Sequence, residues 1–232
     1  MRELPKVCRW TWRGRVLIFV LSATSIWCLL ADFYGLCSMR AFTVGILIPA
    51  TVLLIALATV DRIDGDGRLW RGCLIGATAG LLAAIAYDVF RLPFVFSHSW
   101  GLEAIVPSMN LFKVFPRFGA MILGEPIEQP HYSWAAHIIG WTYHFSNGVT
   151  FGVMYMAAIG DPKHRSWVWA VVMATGLEIG MLLSPYPQFF SIPITATFVV
   201  VTLAAHIIFG IVLGVLASAW ATEHPLASPS LG

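Results

Sequence analysis

Six stretches of this chain are each close to the about 20 apolar residues that an α-helix needs to cross a hydrocarbon layer, which leaves little room for another architecture. They run approximately from Val16 to Leu36, Ala41 to Val60, Cys73 to Phe90, Trp134 to Ala158, Trp167 to Leu183 and Ile194 to Trp220. One soluble core cannot hide that many bilayer-length runs in 232 residues. Only 11% of the residues are charged, 58% are hydrophobic and mean hydropathy is +0.78, whereas soluble domains carry about a quarter charged residues. The expected fold class is all-α: a polytopic bundle of six transmembrane helices, one membrane domain over 1–232, whose first partner is the lipid bilayer. A net charge of +2 with scattered basic residues does not suggest nucleic acid as a partner.

The loops predict an orientation. Arg2, Lys6, Arg9, Arg13, Arg15, Arg62, Arg68, Arg71, Lys163 and Arg165 fall on one side, and Arg40, Arg91, Lys113 and Arg117 on the other. By the positive-inside rule both termini are cytoplasmic. The first run is long, contains Trp27 and lacks a small-x-small cleavage site, so it reads as a retained anchor rather than a signal peptide. Cys8, Cys28, Cys37 and Cys73 are not spaced as a metal or redox pair.

Two spans carry one phrase, a histidine followed at four-residue intervals by two glycines: His144, Gly148, Gly152 and His206, Gly210, Gly214. The span before each contains a small-residue stretch, Ala77-Thr78-Ala79-Gly80-Leu81 and Ala174-Thr175-Gly176-Leu177. This predicts a helix, outer loop, helix unit used twice in parallel orientation, with a functional site at the repeat interface. The chain then divides into an N-terminal helical hairpin (1–71), a first repeat (72–160), a second repeat (161–220) and a cytoplasmic tail (221–232). The glycines, with Gly76, Gly80, Gly176 and Gly180, read as small-xxx-small packing stripes on four helices.

The long outer excursion, 91–133, interleaves aromatic residues with Lys113 and Arg117 and is punctuated by Pro93, Pro107, Pro116, Pro126 and Pro130. Ser108 is a candidate cap, and the two basic residues share a helical face. An interfacial or re-entrant helix over the outer mouth is expected, as a lid or as a shield for the bundle edge.

What chemistry there is lies in ionisable residues inside the spans. His144 and His206 fall about ten to thirteen residues from the outer helix ends, near the midplane at ~1.5 Å per residue. Glu178 falls at the same depth, with Asp32, Asp88, Arg91 and His137 nearer the outer face. A charge at the bilayer centre costs about 2.5–3.5 kcal/mol, so these groups should face one another. His137 and His144 share a helical face and Asn147 lies a turn below. Asp88 and Arg91, three apart, read as a local ion pair with Arg91 snorkelling outward.

Three readings suit this column. His144, His206 and Glu178 can hold a transition metal, or the two histidines can be axial ligands of a haem, in a redox-accessory protein. A chain of Glu178, His144 and Asp88 can relay protons in a small proton-coupled transporter or channel, with His137, Arg91, Asp32 and Asn147 as the outer polar cluster. The chain can also be a non-catalytic subunit that packs with other membrane subunits. Against each stands the plainer role of a buried histidine as a hydrogen-bond partner between helices. No phosphate loop, GxSxG, HExxH or CxxC motif occurs, and no lysine lies within a span.

The run HFSNGVTFGVMY, with His144, Gly148, Gly152 and Tyr155, follows a helix containing GATAGLL. It resembles a group of bacterial inner-membrane proteins typified by YagU, in which a membrane helix reads HxxxGxxxGxxY. The likeness covers the third and fourth spans and extends weakly to the fifth and sixth, where Ala217 stands in the place of Tyr155. It implies a polytopic protein of the bacterial inner membrane without an established activity, and it carries over no catalytic residues.

Overall fold

The computed structural model describes residues 10–223, all of whose regular elements are helices. Helix α1 spans Trp12–Phe33, with Thr11 accepting a hydrogen bond from the Gly14 amide as its N-cap. Helix α2 spans Met39–Asp64. A π-helical stretch at Thr43–Leu47 precedes its Pro49. Proline lacks an amide hydrogen and its ring crowds the carbonyl four residues back, and the wider π turn accommodates both. Large apolar side chains of α2, including Val44, Ile48, Val52 and Ile55, stay exposed, as suits a peripheral helix in lipid.

Helix α3 spans Arg68–Val95 and occupies the centre. Its first amides are held from a distance: buried Asp61 of α2 accepts from the amides of Leu69 and Trp70. Helix α4 is short, Val114–Leu123, α5 spans Trp134–Ile159, α6 Val168–Leu182 and α7 Ala196–Glu223. A single turn, Tyr186–Phe189, sits between α6 and α7.

Four helices are long and apolar enough to cross a membrane: Trp12–Phe33, Met39–Asp64, Arg68–Val95 and Ala196–Ala221. The other two expected spans differ for opposite reasons. α5 is 26 residues long, but His137, His144, Ser146 and Asn147 dilute its hydropathy. α6 is apolar but only 15 residues long, about 22 Å at 1.5 Å per residue.

Glycine decides how the centre packs. A Cβ on Gly76 would lie 2.6 Å from the Gly152 carbonyl oxygen, and one on Gly80 would lie closer still to that of Gly148. α3 and α5 therefore cross antiparallel with backbones in contact. Gly210 and Gly214 of α7 meet Ala170, Val171 and Trp167 of α6 in the same manner. Gly148, Gly152, Gly210 and Gly214 thus all stand at helix contacts. Gly176 and Gly180 do not: nothing lies within 4 Å of where their Cβ atoms would be, so the expected stripe on α6 faces away from the bundle.

The outer excursion also departs from expectation. Residues 107–110 have no regular structure, and Ser108 caps nothing. α4 starts at Val114 and is packed into the bundle: Val114, Phe115, Phe118 and Met121 are buried, and a Cβ on Gly119 would strike the Ala136 carbonyl of α5. Lys113 and Arg117 do not reach outward on their own. Lys113 Nζ donates to the Ser191 carbonyl, and Arg117 donates to the Phe190 carbonyl at 2.7 Å and pairs with Glu128, tying the two outer connections together.

Candidate functional site

Helices α1, α3, α4, α5, α6 and α7 surround a cavity of about 170 Å³. His144, Asn147, His206, Glu178 and Arg91 all line it, so the midplane residues expected from sequence meet at one place. They meet as two separate pairs. In the first, His144 Nε2 lies 2.8 Å from Asp88 Oδ2 and donates to the carboxylate. The other carboxylate oxygen lies 3.3 Å from Arg91 Nη1, and Arg91 Nη2 donates to the Leu111 carbonyl. Phe115 of α4 stacks on the imidazole at 4.2 Å.

Arg91 does not snorkel. It is 5% exposed, and its guanidinium lies over the rings of Tyr87, Phe112 and Phe115 at 4.7, 5.1 and 5.6 Å. The outer excursion folds back over it, supplying the Leu111 carbonyl and two of the rings, so the cation is solvated by protein instead of by the headgroup layer.

In the second pair, His206 Nε2 lies 3.5 Å from Glu178 Oε2. His206 Nδ1 lies 2.9 Å from the Thr202 carbonyl, one turn back. A carbonyl can only accept, so Nδ1 carries a hydrogen and Nε2 is the nitrogen free to gain or lose a proton toward Glu178. Tyr87 stands between the two imidazoles, 6.1 Å from His144 and 4.9 Å from His206 by ring centroid.

The two hairpins correspond in register. Asp88 stands eight residues after Gly80, which meets Gly148, while Glu178 stands eight residues after Ala170, which meets Gly210. Each carboxylate then faces the histidine four residues before the contacting glycine. Cavity positions follow the same register: Ala84, Tyr87 and Arg91 on α3 answer to Ala174, Leu177 and Met181 on α6. This register differs by about two helical turns from the one suggested by the Ala-Thr-Gly stretches.

Other expected members of the site lie elsewhere. Asp32 Oδ2 accepts from the Met39 amide at 2.6 Å, holding the start of α2 beside its N-cap Ser38. His137 packs beside Tyr132 and Trp134, in a separate outer recess shared with Trp141. Among the described residues no group of three His, Cys, Asp or Glu side chains is placed to hold a metal ion. His144, His206 and Glu178 therefore do not form the expected metal centre, since His144 is turned to Asp88 and Glu178 to His206 alone. The cavity is also smaller than the ~300–1,000 Å³ of typical ligand sites.

Tyr87, Phe115, Tyr186 and Thr202 belong to the site although the sequence did not single them out. Thr202 was legible, being four residues before His206 on one helix. Tyr87 sits beside Asp88 on the same inward turn. Nothing in the chain pattern links Phe115 to His144.

No curated protein and no solved structure matches this chain. Residues 70–228 match the model of a family of unknown function, DUF6789. The matched segment begins at the start of α3, contains both carboxylate–histidine hairpins and leaves out α1 and α2. With more than half of its length inside that match, the chain belongs to the DUF6789 family.

Proposed function

We propose that this protein is a small proton-coupled membrane carrier whose working group is the Glu178–His206 pair. The observation that carries this reading is the tautomer forced on His206. Its Nδ1 hydrogen is committed to Thr202, and its Nε2 faces a carboxylate at 3.5 Å across a cavity wall. One proton held between them leaves the pair neutral, and its departure leaves a carboxylate that an incoming solute or proton must balance. The Asp88–Arg91–His144 set is balanced already and serves as the fixed half of the site.

In this reading the chain crosses a bacterial inner membrane six times with both termini cytoplasmic. The asymmetry of Lys and Arg across the loops supports the orientation. α6 completes its crossing with the help of Leu183 and the Tyr186–Phe189 turn, and α5 crosses with His144 and Asn147 turned to the cavity. α4, wedged against α5 with Phe115 on His144, closes the cavity from the outer side.

Full-length protein in pyranine-loaded proteoliposomes provides the test, with gradients of permanently charged or neutral small solutes: tetramethylammonium, methanesulfonate and urea. At least one gradient is expected to move protons above the protein-free background, and Glu178→Gln is expected to abolish that movement. Proton movement equal to background for every solute, or unchanged in Glu178→Gln, contradicts the carrier reading.

A further inference from the structure

Beside the hydroxyls of Tyr87 and Tyr186, three groups in the cavity can receive a hydrogen bond or face a positive charge. His206 spends its Nδ1 hydrogen on Thr202, so the neutral ring offers a lone pair at Nε2. Asn147 Oδ1 is buried without a hydrogen-bond partner. Glu178 is buried, with His206 Nε2 at 3.5 Å from its carboxylate. All three are acceptors. The cation lining the cavity, Arg91, is occupied by Asp88 and the Leu111 carbonyl; its one unpartnered donor, Nε, belongs to a guanidinium whose charge Asp88 already balances.

The walls point the same way. Tyr87, Phe115, Phe118, Phe151, Tyr186 and Phe209 line the space, and ring faces attract cations. A volume of about 170 Å³ is close to the ~150 Å³ that admits a molecule the size of benzene.

We infer that the cavity binds a small organic cation, a protonated or quaternary amine, seated on Glu178 against the aromatic walls. This rests on the proton-exchange reading of the Glu178–His206 pair and names what the proton is exchanged for. Charge sets the exchange. With Asp88 and Arg91 balancing each other, the cavity is neutral with one proton on the pair or with one cation beside the carboxylate. Both together leave an uncompensated charge inside the membrane, which is disfavoured. As the cation enters, the bond holding the shared proton breaks, that proton passes to water, and the carboxylate keeps the electron pair. No redox step is involved. The other groups that act on the pair are Tyr87 and Arg91 of α3, His144 of α5 and Tyr186 of the outer turn.

Calorimetric titration of the full-length protein in detergent tests this, with tetramethylammonium as the cation, methanesulfonate as an anion of similar size and tert-butanol as an uncharged analogue. Saturable binding of tetramethylammonium is expected, with about one proton released per cation as read in buffers of different ionisation heat. Where the pair holds its proton, affinity should fall about tenfold per unit drop in pH. Glu178→Gln should weaken binding at least tenfold. Preferential binding of methanesulfonate, equal binding of tert-butanol, cation binding without proton release, or no saturable binding overturns the inference. The charge series and the proton count use the unaltered chain, so they decide the matter even if the variant fails to fold. Cation binding with proton release supports this site even if no gradient moves protons in vesicles, which would remove only the carrier reading. Proton movement driven by methanesulfonate alone would leave the carrier reading standing and remove this one.

Discussion

The hairpin of α3 and α5 and the hairpin of α6 and α7 place a carboxylate opposite a histidine in the same register, yet they surround it differently. Around Asp88 and His144 the outer excursion supplies Arg91 with a carbonyl and aromatic rings, and every charge has a partner at hydrogen-bond distance. Around Glu178 and His206 the position matching Arg91 is Met181, and the only polar contact across the pair is 3.5 Å long. One duplicated geometry therefore yields a locked ion cluster and a loose, exchangeable pair. The difference comes from a single cation and from the segment that folds over it.

The sharpest way to break this comparison is to remove the cation from the locked side. Arg91→Met leaves Asp88 buried and half-partnered, and losing one member of a buried pair costs about 3–5 kcal/mol. A large drop in thermal midpoint in detergent is expected. Glu178→Gln, on the loose side, should move that midpoint far less. Equal losses would show that both pairs hold the fold.

Helix packing gives the next largest contrast. A Cβ at Gly152 would overlap the Gly76 carbonyl, so Gly152→Ala should cost about 1–3 kcal/mol as overpacking in a tight backbone crossing. Gly176→Ala and Gly180→Ala meet open space and should stabilise by up to about 1 kcal/mol through helix propensity. Thermal denaturation of the three variants side by side checks the order.

The smallest effects concern two buried tyrosines of α5. Tyr143 donates to the Ser25 carbonyl of α1, and Tyr143→Phe should cost about 1 kcal/mol. The Tyr155 hydroxyl is buried without a partner, so Tyr155→Phe should be neutral or stabilising, since an unmade buried hydrogen bond costs about 1–3 kcal/mol. Destabilisation by Tyr155→Phe would mean that the hydroxyl has a partner.

Much of the site was readable because helical spacing and bilayer depth are one-dimensional. His144, His206 and Glu178 could be placed at one level by counting residues, and Gly148, Gly152, Gly210 and Gly214 could be read as contacts. Pairing was not readable, because it depends on rotation about each helix axis. His144 turned to Asp88 instead of sharing a ligand set with His206, and Gly176 and Gly180 turned outward. The fate of Arg91 was hidden for another reason: a snorkelling arginine and a covered one look alike until the path of residues 96–113 is known. Asp32 misled because its role is local, holding the first amide of α2 across a short turn.

The most direct test of the inequivalence of the two pairs is solute-driven proton movement in proteoliposomes. Glu178→Gln is set against the charge-neutral double variant Asp88→Asn with Arg91→Met. The expected result is a folded but silent Glu178→Gln and a less stable double variant that still moves protons. Proton movement at the wild-type rate in Glu178→Gln, with none in a folded double variant, would contradict the assignment of the working proton to α6 and α7.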